Sequence, residues 1–253
     1  MLEITSAQNP RVAALRALRQ AKGRAETGLF LAEGRKLCRE AFEWAQVETL
    51  LVEKERLDEF SALTARARDV LVVPARIMET VCETKTPQGV AAAVRIPAPL
   101  DAARAEGLVL ALDGVQDPGN VGTMLRTAEA AGFSGALLSP ACADVFAPKT
   151  VRATMGSVYR MPVWRGELAG ALSALKERGF SVVSTELGGE DFFAALPGLK
   201  APLALVIGSE GNGVTLAVRA LSTHRLALPM AGHVESMNAA VAAGILMYSI
   251  GHR

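Results

Sequence analysis

Cysteine is scarce and scattered. Cys38, Cys82 and Cys142 are the three in the chain, with no CxxC pair and no Cys/His cluster. That spacing supports neither a disulfide framework nor a metal centre, so no metal is expected and a reducing, cytoplasmic setting fits. Neither charge sign dominates: 27 Lys+Arg stand against 26 Asp+Glu, for a net charge of +1. Long apolar runs are missing too. Ala239–Ile250 is short and rich in alanine, below the ~20 apolar residues that a bilayer-spanning helix needs. The opening MLEITSAQNPRVAALRALRQ is charged and amphipathic, unlike a secretory leader. No membrane partner is therefore expected. No GxGxxG follows an early strand, and no glycine loop ends in Lys-Ser/Thr. These absences argue against a nicotinamide dehydrogenase and a phosphate-loop NTPase. No internal repeat or low-complexity tract is present.

What is there is an apolar majority arranged in short alternating segments. Half of the 253 residues are hydrophobic, enough to bury one large core or two modest ones. Residues 1–97 read as a first α/β unit. It holds an amphipathic helix after Asn9-Pro10, a strand at 28–34, a helix from Arg35 to Trp44 and a strand at 48–52. A helix over 54–67, a strand at 69–73, a short helix at 76–81 and a strand at 89–96 follow. Residues 98–107, inside the proline-bearing stretch IPAPLDAARAEG, read as a linker. From 108 to 253, strands at 108–112, 135–139, 160–164, 180–184, 203–207 and 225–228 alternate with helical patterns. That order predicts a mostly parallel sheet with helices on both faces.

Three strand-to-loop units carry the polar residues. In the first, Asp117-Pro118-Gly119 makes a turn, and Asn120 is placed to cap a helix. Val121, Leu125 and Ala128 share its inner face, and Arg126 supplies a planar fork suited to phosphate. Gly122 weakens that helix and admits a close approach by backbone or ligand. In the second, Gly208-Ser209-Glu210-Gly211-Asn212-Gly213 follows an apolar strand; its glycines let the backbone hug a flat ligand. In the third, the strand ending at Leu228 leads through Pro229–Val234 to a polar trio, Glu235, Ser236 and Asn238, which opens an alanine-rich helix. Ser236 is the expected N-cap, and His233 lines the loop. Residues 11–39 carry eight arginines and lysines against Glu26 and Glu33. That bias is compatible with phosphate contact or with a solvated helix face.

Singly these motifs are weak. In order, they resemble the SpoU/TrmH family of SPOUT-class RNA ribose 2′-O-methyltransferases. The pattern is Asn120-x-Gly122-x-x-x-Arg126-Thr127-Ala128, Ile207-Gly208-x-Glu210-x-x-Gly213, and Leu228-Pro229-Met230-x-Gly232-x-x-x-Ser236-Met237-Asn238 with Ala242-Ala243-Gly244. Lys149-x-x-Arg152-Ala153-x-Met155-Gly156-Ser157 also looks like the family. Asn9-Pro10 with Phe30-Leu31-Ala32-Glu33-Gly34 is similar to the RNA-binding domain that often precedes the catalytic one. Met237 departs from the leucine common there, an apolar exchange that puts nothing in doubt.

The resemblance implies a C-terminal parallel-sheet domain closed by a trefoil knot, a smaller N-terminal α/β RNA-binding domain, and a homodimer. It implies S-adenosylmethionine as methyl donor, held by Ile207, Gly208, Glu210, Gly213, Leu228, Met230, Ser236 and Met237. Asn120, Arg126, Glu210, Ser236 and Asn238 would serve the reaction. Arg11, Arg16, Arg35, Lys36 and Arg126 would grip RNA, ribosomal RNA first. Transfer RNA as substrate, and a non-catalytic RNA-binding protein of the same fold, remain the alternatives.

Overall fold

The computed structural model describes residues 1–232 and 236–252; His233 and Glu235, singled out in the sequence, lie outside them. In chain order the elements begin β1 Leu2–Glu3, α1 Pro10–Ala17, α2 Ala21–Thr27, β2 Leu29–Glu33, α3 Arg35–Trp44 and β3 Val47–Glu53. Then come α4 Ser61–Thr64, β4 Val70–Val73, α5 Ala75–Val81, β5 Val90–Arg95, β6 Leu108–Asp113, α6 Pro118–Ala130, β7 Gly135–Leu138 and α7 Pro148–Thr154. The chain continues with β8 Val163–Arg165, α8 Leu168–Glu177, β9 Ser181–Asp191, α9 Phe192–Ala195 and β10 Leu203–Gly208. It closes with α10 Leu216–Arg219, β11 His224–Ala227 and α11 Ala239–Gly251.

The chain divides into two compact units: 1–97 with 144–160, and 98–143 with 161–253. In the first, a mixed sheet runs β1-β4-β3-β5-β2. β3 lies parallel to β4 and antiparallel to β5, which is antiparallel to β2. Leu31, Leu51 and Leu71 from three of its strands meet Ile77, Met78 and Val81 of α5 and Val12 and Leu15 of α1 in one core. Asn9 starts α1 by accepting from the Arg11 N–H at 2.9 Å, with Pro10 in the first turn. The helix expected over 54–67 breaks into two 3₁₀ turns and α4. Phe60 and Leu63 are the residues those turns bury, too few for a continuous apolar stripe.

The segment 144–160, which the sequence places with 108–253, packs in the first unit. Phe146 and Tyr159 lie 5.1 and 6.0 Å from the Phe30 ring, and the Tyr159 hydroxyl donates to the Leu37 carbonyl at 3.1 Å. Arg152 on α7 donates to Glu33 at 3.2 Å and to Glu83 at 2.7 Å. Glu33, otherwise buried, also accepts from the N–H groups of Glu83 and Thr84 and the Thr84 hydroxyl. The turn after α7 puts Met155 at φ 52° and Gly156 at φ 104°. These contacts are all made between positions far apart in sequence, so local pattern could not assign the segment.

The second unit is a parallel sheet in the order β11-β9-β10-β6-β7-β8. β10 is buried along its whole length, as expected of a central strand covered on both faces. On one face Ala111, Leu137, Val182 and Val206 pack with Leu168, Leu172 and Leu175 of α8 and Val218 of α10. Strand alternation turns Leu110, Leu112 and Leu205 the other way, where α6 and α11 pack together. Gly244 on α11 faces Thr127 on α6, and Gly251 lies so near the Ala131 carbonyl that a Cβ would sit 2.1 Å from it.

Two expected caps move, the first by three residues and the second by two. Asp117 caps α6, its Oδ1 accepting from the Asn120 N–H at 2.8 Å, and Asn120 is inside the first turn. Asn238, not Ser236, caps α11, accepting from the N–H groups of Ala240 and Val241 at 2.9 and 3.2 Å. In both cases the residue immediately before the first helical position reaches the orphan donors, which leaves the Asn120 and Ser236 side chains to other partners.

Candidate active site

β9, β10 and β11 run parallel, so their carboxyl ends open on one side of the sheet, where open parallel sheets bind ligands. A cavity of about 470 Å³ lies there, within the range of small-molecule sites. β10 delivers Ile207 and Gly208, β11 leads into Leu228 and Met230, and the approach to α11 contributes Ser236 and Met237. Glu210 and Gly213 complete the group, so all eight residues that the sequence suggested for a cofactor line one space. Its walls are apolar where Ile207, Leu226, Leu228 and Leu246 stand, and polar at Ser209, Glu210 and Ser236.

The glycine loop closes on itself. Ser209 and Gly213 exchange backbone hydrogen bonds at 3.0 and 2.9 Å, and the Asn212 N–H bonds the Ser209 hydroxyl at 3.1 Å. A Cβ on Gly208 would lie 2.2 Å from the Gly213 carbonyl carbon. Glycine is therefore required there by the loop's own backbone. At its far end the loop is tied down by Asp113, a buried carboxylate that accepts from the Thr215 N–H at 2.8 Å.

At the rim, three motifs meet through side chains. Asn120 donates from Nδ2 to Glu210 Oε1 at 2.5 Å, and Asn238 donates from Nδ2 to Asn120 Oδ1 at 3.2 Å. One chain of hydrogen bonds thus links α6, the glycine loop and the N-terminus of α11. Arg126 is not in it. It is exposed on the next turns of α6 and has no hydrogen bond or ion pair among the described residues.

One wall escaped the sequence reading. β9 extends past the expected 184 and slips register against β11: Arg225 pairs with Ser184, but Leu226 pairs with Glu190. The excursion brings Thr185, Glu186 and Leu187 to the cavity. Glu186 takes Arg219 at 2.7 Å and Arg225 at 3.4 Å, with its side chain 13% exposed. The available signal was Gly188-Gly189, a glycine pair that marks a bulge inside a strand pattern. Gly189 has no room for a Cβ, which would meet the Arg225 carbonyl oxygen at 2.7 Å.

The basic residues of the first unit divide. Arg11 is paired with Asp69, and Arg35 with Glu59 at 2.5 Å. Arg16 and Lys36 are exposed and unpaired among the described residues.

Residues 107–248 match the SpoU rRNA Methylase family, and residues 9–92 match the MRM3-like substrate binding domain. The chain is 36% identical over 250 residues to the 23S rRNA (guanosine(2553)-2′-O)-methyltransferase RlmP of Bacillus subtilis, covering 99% of each chain. Among solved structures, an AdoMet-bound rRNA methyltransferase from Sinorhizobium meliloti superposes with a TM-score of 0.87 at 33% identity, over 98% of this chain and 97% of that one. The SpoU methyltransferase AviRb from Streptomyces viridochromogenes, in complex with AdoMet, gives 0.85 at 28% identity, over 96% and 97%.

Proposed function

Because the chain belongs to the SpoU rRNA methylase family, we propose that it transfers a methyl group from S-adenosylmethionine to a ribose 2′-hydroxyl of RNA, and that the RNA is ribosomal. The observation that carries this reading is the hydrogen-bonded series Glu210–Asn120–Asn238 at the rim of the cavity. A protein that merely bound RNA would have no need to hold three distant polar side chains in register beside a cavity of small-molecule size. The relative matched over 99% of its length is named for a 23S rRNA, which favours ribosomal over transfer RNA.

The cavity suits the cofactor. Ile207, Leu226, Leu228 and Leu246 offer apolar walls to a planar base, and the rim offers Glu210 and Ser236 to polar groups. When bound, S-adenosylmethionine supplies an electrophilic methyl on its sulfonium. The chain's own task is to align a weakly acidic hydroxyl, relieve it of its proton and stabilise the charge left on oxygen. Asn120 and Glu210 orient the substrate, and Asn238 fixes Asn120 while capping α11. Arginine side chains keep their proton across the working pH range, so Arg126 serves as a clamp on RNA phosphate and on the developing alkoxide, not as the base.

The functional unit we propose is a homodimer. Val241, Ile245 and Tyr248 are 54%, 37% and 49% exposed on α11, and their spacing sets them on one helical stripe. An exposed apolar stripe on a helix that packs against α6 supports a second copy as its cover. We also read the C-terminal part of the second unit as a trefoil knot. α11 packs against α6, which follows β6, although β11 ends at the sheet edge three strands away.

The test is direct. Unmodified ribosomal and transfer RNA are incubated with the protein and methyl-labelled S-adenosylmethionine, then digested to nucleosides. Label in a 2′-O-methyl nucleoside of ribosomal RNA is expected. Label in a base, or none from either RNA with cofactor bound, would overturn the reaction.

A further inference from the structure

In the first unit, α3 carries an exposed tryptophan at its C-terminal end. Trp44 is 61% exposed, in a chain that holds two tryptophans. It borders a depression of about 400 Å³ that Arg35, Lys36, Arg39, Glu40 and Glu43 also line. The charges there do not cancel. Glu40 is paired with Arg160, Glu43 with Arg66, and Arg35 with Glu59. Lys36 and Arg39 are left exposed without an ion pair among the described residues, so the depression presents two uncompensated cations beside an indole. The Arg160 guanidinium sits over the indole, 5.6 Å from the ring centroid. A large aromatic residue held at the surface loses the hydrophobic gain of burial. Set beside these two cations, it has the composition of a stacking platform for an unpaired base.

We infer that Trp44 stacks on a nucleobase of single-stranded RNA, with Lys36 and Arg39 contacting the flanking phosphates. The inference rests on RNA being the substrate. It adds a site outside the catalytic cavity and a preference for unpaired nucleotides over duplex, since a paired base offers no free face to an indole. Arg35 is engaged by Glu59 and the Phe60 ring, and the inference does not call on it.

The experiment uses the full chain carrying Trp164→Phe, so that Trp44 is the sole indole. A single-stranded oligoribonucleotide of mixed sequence should quench its fluorescence, and the same sequence as a blunt duplex should not. Trp44→Ala should weaken single-strand binding about tenfold with melting temperature and S-adenosylmethionine affinity unchanged. Lys36→Gln with Arg39→Gln should lower the slope of log K against log salt by about 1.4. Trp44→Ala binding as tightly as its parent, or quenching by RNA-free ribosomal protein and not by the oligonucleotide, would overturn the inference. Methyl transfer to ribosomal RNA is measured alongside. If it persists while Trp44→Ala binds normally, this inference falls alone; if the parent chain neither binds nor methylates RNA, the functional reading falls with it.

Discussion

Asn238 does two jobs with one amide: its Oδ1 caps α11, and its Nδ2 donates to Asn120 Oδ1 at 3.2 Å. The two jobs can be separated chemically. Asn238→Asp keeps an acceptor for the helix N–H groups but cannot donate to Asn120. It should retain the melting temperature and lose methyl transfer by about a hundredfold, the scale of a misplaced catalytic group. Asn238→Ala should lose both, with about 1 kcal/mol of cap read as a melting shift of about 2–4 °C. Equal turnover in Asn238→Asp and the parent would dissociate the Asn120 bond from catalysis.

Asn120→Asp places a carboxylate against Glu210, whose side chain Asn120 now holds at 2.5 Å. Mutual repulsion should drive the two apart, so kcat should fall with little change in cofactor affinity. Calorimetric titration with S-adenosylmethionine separates the effects. Loss of cofactor affinity with kcat intact would make Asn120 a structural residue of the cavity.

Gly208→Ala inserts a Cβ 2.2 Å from the Gly213 carbonyl carbon and 2.4 Å from the Val214 nitrogen. Both neighbours are backbone, so the loop must open. Cofactor affinity should drop at least about tenfold, as preorganisation of the wall is lost, while Gly211→Ala, whose Cβ meets nothing within 4 Å, should bind normally.

Arg126→Ala should leave folding and cofactor binding untouched, because the side chain is exposed and unpaired among the described residues, and should abolish transfer. Arg126→Lys keeps charge but not the two-pronged geometry. Near-full turnover in the lysine variant would rule out a bidentate grip.

Burial raises the Cys82 thiol to about 12 and the Cys38 thiol higher still, with Glu33 adding to both. A raised value means less thiolate, the reactive form, at any working pH. Neither thiol should react with a disulfide reagent at pH 8 until the first unit unfolds, and their labelling rate should track unfolding. Rapid native-state labelling of Cys82 would contradict its burial.

Much of the architecture was legible in the sequence, for local reasons. Apolar strands such as LALVI, a glycine directly after β2 and β6, and Asn9-Pro10 before a helix are written in consecutive residues. The series Glu210–Asn120–Asn238 was legible as a set through family resemblance, but its bonding was not, since it joins positions 90 and 118 residues apart. The caps were off because Asn and Asp compete with neighbouring Ser and Asn for the same orphan N–H groups. Glu186 was missed because a register slip between β9 and β11, not the alternation within β9, decides where it lies.

The first unit draws its last helix from residues 144–160, which has a consequence for synthesis. A ribosome delivers the chain from its N-terminus, and domains form as their residues emerge. Here the sheet from β1 to β5 is complete by residue 95, yet Phe30 lacks Phe146 and Tyr159, and Glu33 lacks Arg152, until the strands β6 and β7 of the other unit have been made. The earlier half must wait, partly finished, for a piece embedded in the later one. A shortened gene that stops after β5, or one that starts after it, divides a folding unit and not merely a pair of domains.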